Sequence, residues 1–397
     1  MRLNPYGLWV QLGGMDVCIV GGGIVGLSAA HSLAERGAAV TLYEQGALGT
    51  GSTARAAGGI RSQFSTPVNV SLSLASKQVW NDFEARFGVD IEYRKHGYLF
   101  LARSESTAAD FRETVRMQRE LGAESEYVEP SEATTYCPGL DPEPFVGATY
   151  NPDDGIADPN LAVQGYATAA REAGVEIRTG TTVTDVRRDG DRVIGVEIDG
   201  TERREVDYVV NAAGAWAGRL AELAGVDLPI APRRRQIAVV EPTMPVPETV
   251  PLTIDLETGS YFRPEREGIA LVGGHFDGPD PDADPDRFDE GMDIEWAATA
   301  VERAADYTEY FGPETRIRRG WAGLYAVTPD HHPIVEESLP GLVTAAGFSG
   351  HGFQHAPATG QLVAELVLDG EASLVDIAAL DGDRFDRGES LAEHHVA

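Results

Sequence analysis

From Met15 to Glu44 the chain runs MDVCIVGGGIVGLSAAHSLAERGAAVTLYE. Met15 to Val20 is a short apolar run that predicts a buried strand, and Leu27 to Arg36 carries small and apolar residues at helical spacing. Gly37 stops that helix, and Ala39 to Glu44 form a second strand. The whole is a βαβ unit of about thirty residues. Between strand and helix, Gly21, Gly23 and Gly26 fit GxGxxG, with Ile24 and Val25 opening the helix. The first glycine makes the tight turn, the second admits a pyrophosphate, and the third lets helix and strand pack closely. A helix N-terminus then offers unpaired N–H groups to the anion. Glu44, with Gln45 beside it, ends the second strand where a carboxylate can accept from ribose hydroxyls. The same charge repels a 2′-phosphate, which argues against NADP.

Outward from this unit, Gly46 to Gly59 is dominated by Gly, Ser, Thr and Ala and suits backbone laid against a ligand. Residues 68–87 predict a helix ended by Gly88, Tyr98 to Ala102 a strand, and 107–121 a polar helix closed by Gly122. Asp158-Pro159 is a helix start, with Asp as cap and Pro at the first helical position. Four strand-like stretches follow, at 175–178, 182–187, 192–198 and 207–210, and Val206 to Leu223 repeats strand, glycine-rich turn and helix. Leu342 to Ala345 predicts a strand, Ala346 to Gly352 a turn, and Ala356 to Leu368 an amphipathic helix. The acidic, proline-containing stretch 276–293 reads as a solvated loop; an EF-hand is excluded there because its glycine and closing Glu are missing. His331 and His332 have no third ligand at metal spacing and read as turn residues, so no metal is expected.

The chain has 397 residues and a formal charge of −31, which repels phosphate backbones and excludes nucleic acid as a natural partner. Only Lys77 and Lys95 are lysines among 32 basic residues. Such self-repulsion suits a salty cytoplasm, where the screening length falls to about 3 Å near 1 M. Cys18 and Cys137 are too few and too far apart for a disulfide framework or a CxxC site. No apolar run is long enough to cross a membrane, and residues 1–14 lack a signal-peptide core, so they read as a disordered leader to a cytoplasmic protein.

Several segments together resemble the D-amino-acid-oxidase-like family of FAD-dependent amine oxidoreductases, within it the sarcosine oxidase (beta subunit), dimethylglycine dehydrogenase and glycine oxidase group. The resemblance runs from Met15 to about Gly370. Beside residues 21–44 it rests on GSTARAAGGIR at 51–61, NAAGAW at 211–216, WAGLY at 321–325 followed by Thr328-Pro329-Asp330, and AGFSGHGF at 346–353. It implies FAD contacts from Ser52, Thr53, Arg55, Ala57, Gly58 and Gly59, from Val183, Ala213, Gly214 and Trp216, and from Gly323. It also places Gly350, His351, Gly352, Phe353 and Gln354 at the pyrimidine edge of the flavin, where a helix N-terminus meets developing negative charge. Relatives that bind flavin covalently have histidine at the position of Arg55 or cysteine at that of Gly323, so the resemblance implies non-covalent FAD.

On the substrate side, Tyr325 stands where glycine and D-amino-acid oxidases have a carboxylate-binding arginine. The sarcosine-oxidase relatives imply Arg61, Tyr261 and His275 as its companions. Their flavin-side lysine has no counterpart here, the matching positions being Leu271 and Gln354, which favours a dehydrogenase over an oxidase. The expected fold is α/β, a Rossmann-like FAD-binding domain interleaved with a sheet-based α+β substrate domain. FAD-binding parts at 15–85, 155–220 and 320–375 alternate with substrate parts at 86–154 and 221–319, and an acidic, loose tail at 376–397 closes the chain. The expected reaction is oxidation of a C–N bond in a small secondary or tertiary amino acid. The alternatives are a deaminating glycine or D-amino-acid oxidase and a non-catalytic flavin-binding assembly protein. An unknown electron acceptor and homo- or hetero-oligomers remain as partner expectations.

Overall fold

A computed structural model of the chain describes residues 2–3, 9–10, 14–276, 281–389 and 391–395. The leader expectation falls on residues 1–14, which, apart from the short antiparallel pair Arg2–Leu3 and Trp9–Val10, lie largely outside the described residues. Asp16–Val20 forms the predicted strand and pairs in parallel with Ala39–Glu44 on one side and Tyr208–Asn211 on the other. Glu176–Thr179 adds to one edge; Leu342–Ala346 and then Ile334–Leu339 extend the other, giving six strands of which only the last is antiparallel. Val17, Cys18, Ile19, Val209, Val210 and Val343 are buried, as strands covered on both faces require. Helices Ile24–Glu35, Pro159–Glu172 and Gly352–Leu368 share one core around Leu27, Leu33, Ala162 and Val363. The first and last of these approach so closely that a Cβ on Gly360 would overlap Ser28. Another core holds Cys18, Tyr43, Val209 and Leu342 against the three-stranded sheet Val183–Asp189, Arg192–Ile198, Glu202–Glu205.

A second sheet has eight strands in the order Arg316–Val327, Ala231–Glu241, Ala270–Gly274, Ser260–Pro264, Leu252–Asp255, Tyr98–Ala102, Gly147–Asn151, Glu126–Val128. Alternation sorts its side chains. Leu99 and Leu101 join a core with Ala297 and Ala300 of the helix Ile294–Ala305, while Tyr98, Phe100, Ile237, Ile254 and Tyr261 belong to a different one. The two longest strands, Ala231–Glu241 and Arg316–Val327, pair along their lengths and set Arg233 opposite Tyr325 and Arg235 opposite Gly323.

Four local expectations need correction. The helix read over 68–87 divides at Asp82 into Pro67–Asn81 and Phe83–Phe87. The C-terminal helix starts at Gly352 rather than 356 and carries Pro357 in its interior, losing one hydrogen bond there. Residues 277–280 of the acidic stretch lie outside the described residues, but the rest is not free in solvent. Asp284 and Asp286 take Arg219 at 2.7 and 2.6 Å, Glu290 takes Arg55 at 2.7 Å, and Asp293 takes Arg234 at 2.9 Å. The segment beyond Gly370 is docked, not loose. The Glu365 carboxylate accepts from the backbone of Ser373 and Leu374, and Arg384 lies buried against Asp330.

Candidate active site

A cavity of about 1170 Å³ opens where strands Asp16–Val20, Ala39–Glu44, Tyr208–Asn211 and Leu342–Ala346 end and meet the eight-stranded sheet. Crevices at the carboxyl ends of parallel strands are the usual ligand sites of such sheets. At one end it is lined by Gly21, Gly23, Ile24, Val25, Glu44, Gln45, Val183, Ala213, Gly214 and Trp216. Gly21 sits at φ 115°, where a Cβ would overlap the Ala212 carbonyl, and a Cβ on Gly26 would overlap the Gly21 carbonyl. The latter glycine is not part of this cavity's lining and serves helix–strand packing. Gly23 starts the helix with no side-chain cap, and Ile24 N donates to Thr53 Oγ1 at 3.3 Å. Glu44 is preset: its two oxygens accept from Gly22 N at 2.8 Å and Gly46 N at 2.7 Å. Trp216 Nε1 donates to Asp286 Oδ1 at 2.7 Å, so the acidic stretch closes over this end.

Ser52, Thr53, Arg55, Ala57, Gly58 and Gly59 line the middle, with Gly323 opposite. A Cβ on Gly323 would stand 2.9 Å from that of Arg55, and Trp321 Nε1 donates to Arg55 O at 3.0 Å. A second helix N-terminus enters from Gly350 to Gln354, again without a side-chain cap. Ser349 at φ 50° and Gly350 at φ 96° turn the chain into it.

The other end is the wall of Arg61, Tyr98, Tyr261 and Tyr325. A Cβ on Gly350 would stand 2.8 Å from Tyr325 Cζ, so this glycine is what lets the ring lie there. The Arg235 guanidinium lies 5.5 Å from the centroid of the same ring. A Cβ on Gly273 would likewise overlap the Tyr261 ring. Burial pushes the phenols of Tyr98, Tyr261 and Tyr325 above their ordinary value, so all three stay protonated donors. Arg61 is itself buried. Its backbone N donates to Gln354 Oε1 at 2.7 Å, its guanidinium donates to the carbonyls of Gln63 and His395, and it lies 3.9 Å from the Phe64 ring centroid. Burial lowers its pKa, with Glu393 opposing, and a guanidinium remains charged regardless. His351 Nε2 lies 3.3 Å from Arg61 Nη2, and burial holds that imidazole neutral.

The structure thus brings Arg61, Tyr261 and Tyr325 to one wall. His275 also lines the cavity but is exposed, just beyond the strand Ala270–Gly274, with its backbone N on Gly259 O. Two wall residues escaped sequence reading. Tyr98 opens the strand Tyr98–Ala102, whose five residues are all buried and show no apolar–polar alternation, and Arg235 is one of three consecutive arginines with nothing local to distinguish it. His331 and His332 lie in a turn: His331 has φ 63°, and His332 Nε2 sits 2.9 Å from Thr66 Oγ1.

The profile described as FAD dependent oxidoreductase (DAO) matches residues 16–366. The chain belongs to this family. FAD-dependent oxidoreductase domain-containing protein 1 of Xenopus laevis is 32% identical, with 96% of this chain and 84% of that protein covered. Glycine oxidase of Geobacillus kaustophilus is also 32% identical, over 89% of this chain and 92% of that one. Among solved structures, L-proline dehydrogenase from P. horikoshii superposes with a TM-score of 0.86 at 31% identity, covering 95% and 99% of the two chains.

As a member of this family the protein uses FAD, and the cavity fits it. Glycines at 21 and 23 leave room where backbone must approach a pyrophosphate, two uncapped helix N-termini face the cavity, and Glu44 is oriented for ribose hydroxyls. No helix among the described residues is long and apolar enough to cross a membrane.

Proposed function

We propose that the protein oxidises the C–N bond of a small secondary or tertiary amino acid, such as sarcosine, dimethylglycine or a proline-like imino acid. Bound FAD supplies the hydride acceptor. What the chain contributes is binding, orientation and exclusion of water. Tyr261, Tyr325 and Arg61 present donors to the substrate carboxylate, in keeping with their protonated, buried state. Leu252, Ile237 and Ile254 beside them give an apolar lining suited to N-alkyl groups or a ring. The observation that carries the reading is Tyr325 on that wall, where an amine-deaminating relative would present an arginine. The 31% identity to a proline dehydrogenase agrees with it.

We read the protein as a dehydrogenase. Among the described residues the cavity lining contains no lysine. Leu271 is buried in its strand, Gln354 is committed to Arg61 N, and the Lys77 ammonium is held by Asp154 at 2.9 Å and Asp153 at 3.0 Å. The test is anaerobic flavin bleaching with sarcosine, dimethylglycine, proline, glycine and D-alanine, followed by admission of air. Bleaching by the N-substituted amino acids with slow reoxidation is expected. Bleaching by glycine or D-alanine alone would instead mark a deaminating oxidase, and no bleaching by any amine would leave a flavin-binding assembly protein.

A further inference from the structure

The segment 393–395 approaches the active-site wall from behind. Arg61 lines the cavity, whereas Gln63, Phe64, Glu393 and His395 do not. The Arg61 guanidinium is thus backed by groups outside the cavity lining, and the chain's last described residues supply one of its two carbonyl acceptors. We propose that Glu393 and His395 are positioning residues, which hold the Arg61 guanidinium in place for a ligand carboxylate. The inference rests on the reading of Arg61 as a carboxylate donor given above.

The contacts are those of a built seat. Glu393 Oε1 accepts from Ser65 N at 2.7 Å and Ser65 Oγ at 2.6 Å, and Oε2 accepts from Thr66 Oγ1 at 2.9 Å and Asn69 Nδ2 at 3.0 Å. These donors surround the start of the helix Pro67–Asn81, where a carboxylate is favoured by the unpaired N–H groups and the dipole. The backbone is tied as well: Glu393 N donates to Asp330 O at 3.0 Å and His394 N to Ser65 Oγ at 2.9 Å. So anchored, the next residue delivers its carbonyl to Arg61 and packs its ring between Phe100 and Phe111, each centroid 5.5 Å away.

A buried cation without acceptors or counter-charge is costly, and it relaxes toward whatever acceptor it can reach. Burial works against the charge of Arg61, and the Glu393 carboxylate is the largest influence opposing it. Burial also pushes the Glu393 carboxyl up, but the charge that His395 gains only in acid, its own pKa being lowered by burial to about 4, and the bonds from Ser65 and Asn69 outweigh it and hold it near 2. Removing the segment takes away one carbonyl acceptor and one carboxylate together. The guanidinium then keeps the Gln63 carbonyl and the Phe64 ring on the protein side, and its second amino group loses its carbonyl acceptor.

The experiment compares the FAD-loaded full chain with a chain ending at Glu389 and with Glu393→Gln, which keeps the segment but removes its charge. The ligands are acetate and its neutral counterpart acetamide, each titrated against the flavin absorbance. FAD content and near-ultraviolet circular dichroism report integrity independently. The full chain is expected to bind acetate, and the shortened chain to bind it about ten-fold or more weakly with acetamide unchanged. Glu393→Gln should fall between them and serves alone should the shortened chain not fold. Adding the peptide LAEHHVA to the shortened chain should restore part of the loss. Equal acetate affinity in the full chain and in the variants overturns the positioning role while leaving Arg61 as carboxylate donor intact. Failure of the full chain to bind acetate overturns both.

Discussion

Replacing Gly350 by alanine separates backbone strain from a side-chain collision at the active-site wall. Gly350 has φ 96°, a region that L-residues enter at a cost of about 1–2 kcal/mol. The new methyl would also overlap Cε2 of Tyr325 and lie 2.8 Å from its Cζ, against an ordinary contact of roughly 3.5–4.0 Å. The ring must retreat by about 1–1.5 Å, which costs a further ~1–2 kcal/mol in a packed site. The expected total is a loss of about 2–4 kcal/mol in denaturant unfolding. A hydroxyl displaced by about 1 Å should also slow anaerobic flavin reduction by the best amine ten- to a hundred-fold. In a Tyr325→Ala background the strain persists but the collision vanishes. The two substitutions should therefore show a coupling of about 1–2 kcal/mol in a double-mutant cycle. Equal losses in both backgrounds would refute the assignment of Gly350 as the seat of Tyr325.

Glu44→Gln keeps the shape of the carboxylate but removes its charge and one acceptor face. FAD release on dilution, followed by recovery of flavin fluorescence, should rise at least ten-fold, and unchanged retention would remove Glu44 from the ribose site. The folded state holds Glu393 near 2 against an ordinary 4.5, so the unfolded chain binds more protons between these values and acid favours unfolding. That stabilisation is present above pH 4.5 and is lost as the pH falls towards 2. Glu393→Gln should flatten the acid limb of a stability–pH curve measured in denaturant, and an unaltered limb would contradict the buried carboxylate.

The cofactor half was readable because its requirements are local. Gly21, Gly23 and Gly26 lie within one turn, and strands covered on both faces announce themselves as unbroken apolar runs such as Val17–Val20. The substrate half depends on distant partners. Arg233, Arg234 and Arg235 look like solvated charge, yet they lie on a long strand where Asp282 and Asp293 from a separate segment pair with the first two. The acidic stretch and the final residues were misread for the same reason. Composition counts carboxylates, whereas Arg219, Arg384 and the donors at Ser65 to Asn69, which receive them, are remote in sequence. The C-terminal helix begins a turn earlier than its amphipathic stretch from Ala356, because Gly352 to His355 are already helical and Pro357 is taken into the interior.

The central strand Asp16–Val20 takes one neighbour from residues 39–44 and the other from 208–211, and the sheet continues only at 342–346. During synthesis the first dinucleotide turn therefore emerges long before the helix at Gly352 that faces it across the cavity. Residues 389–395 leave the ribosome later still. At translation speeds of about 5–20 residues per second, the nascent chain spends many seconds with half a flavin cradle and an unpaired strand edge. The two helix N-termini that face the FAD cavity can therefore come together only after the chain has been made past Gly352.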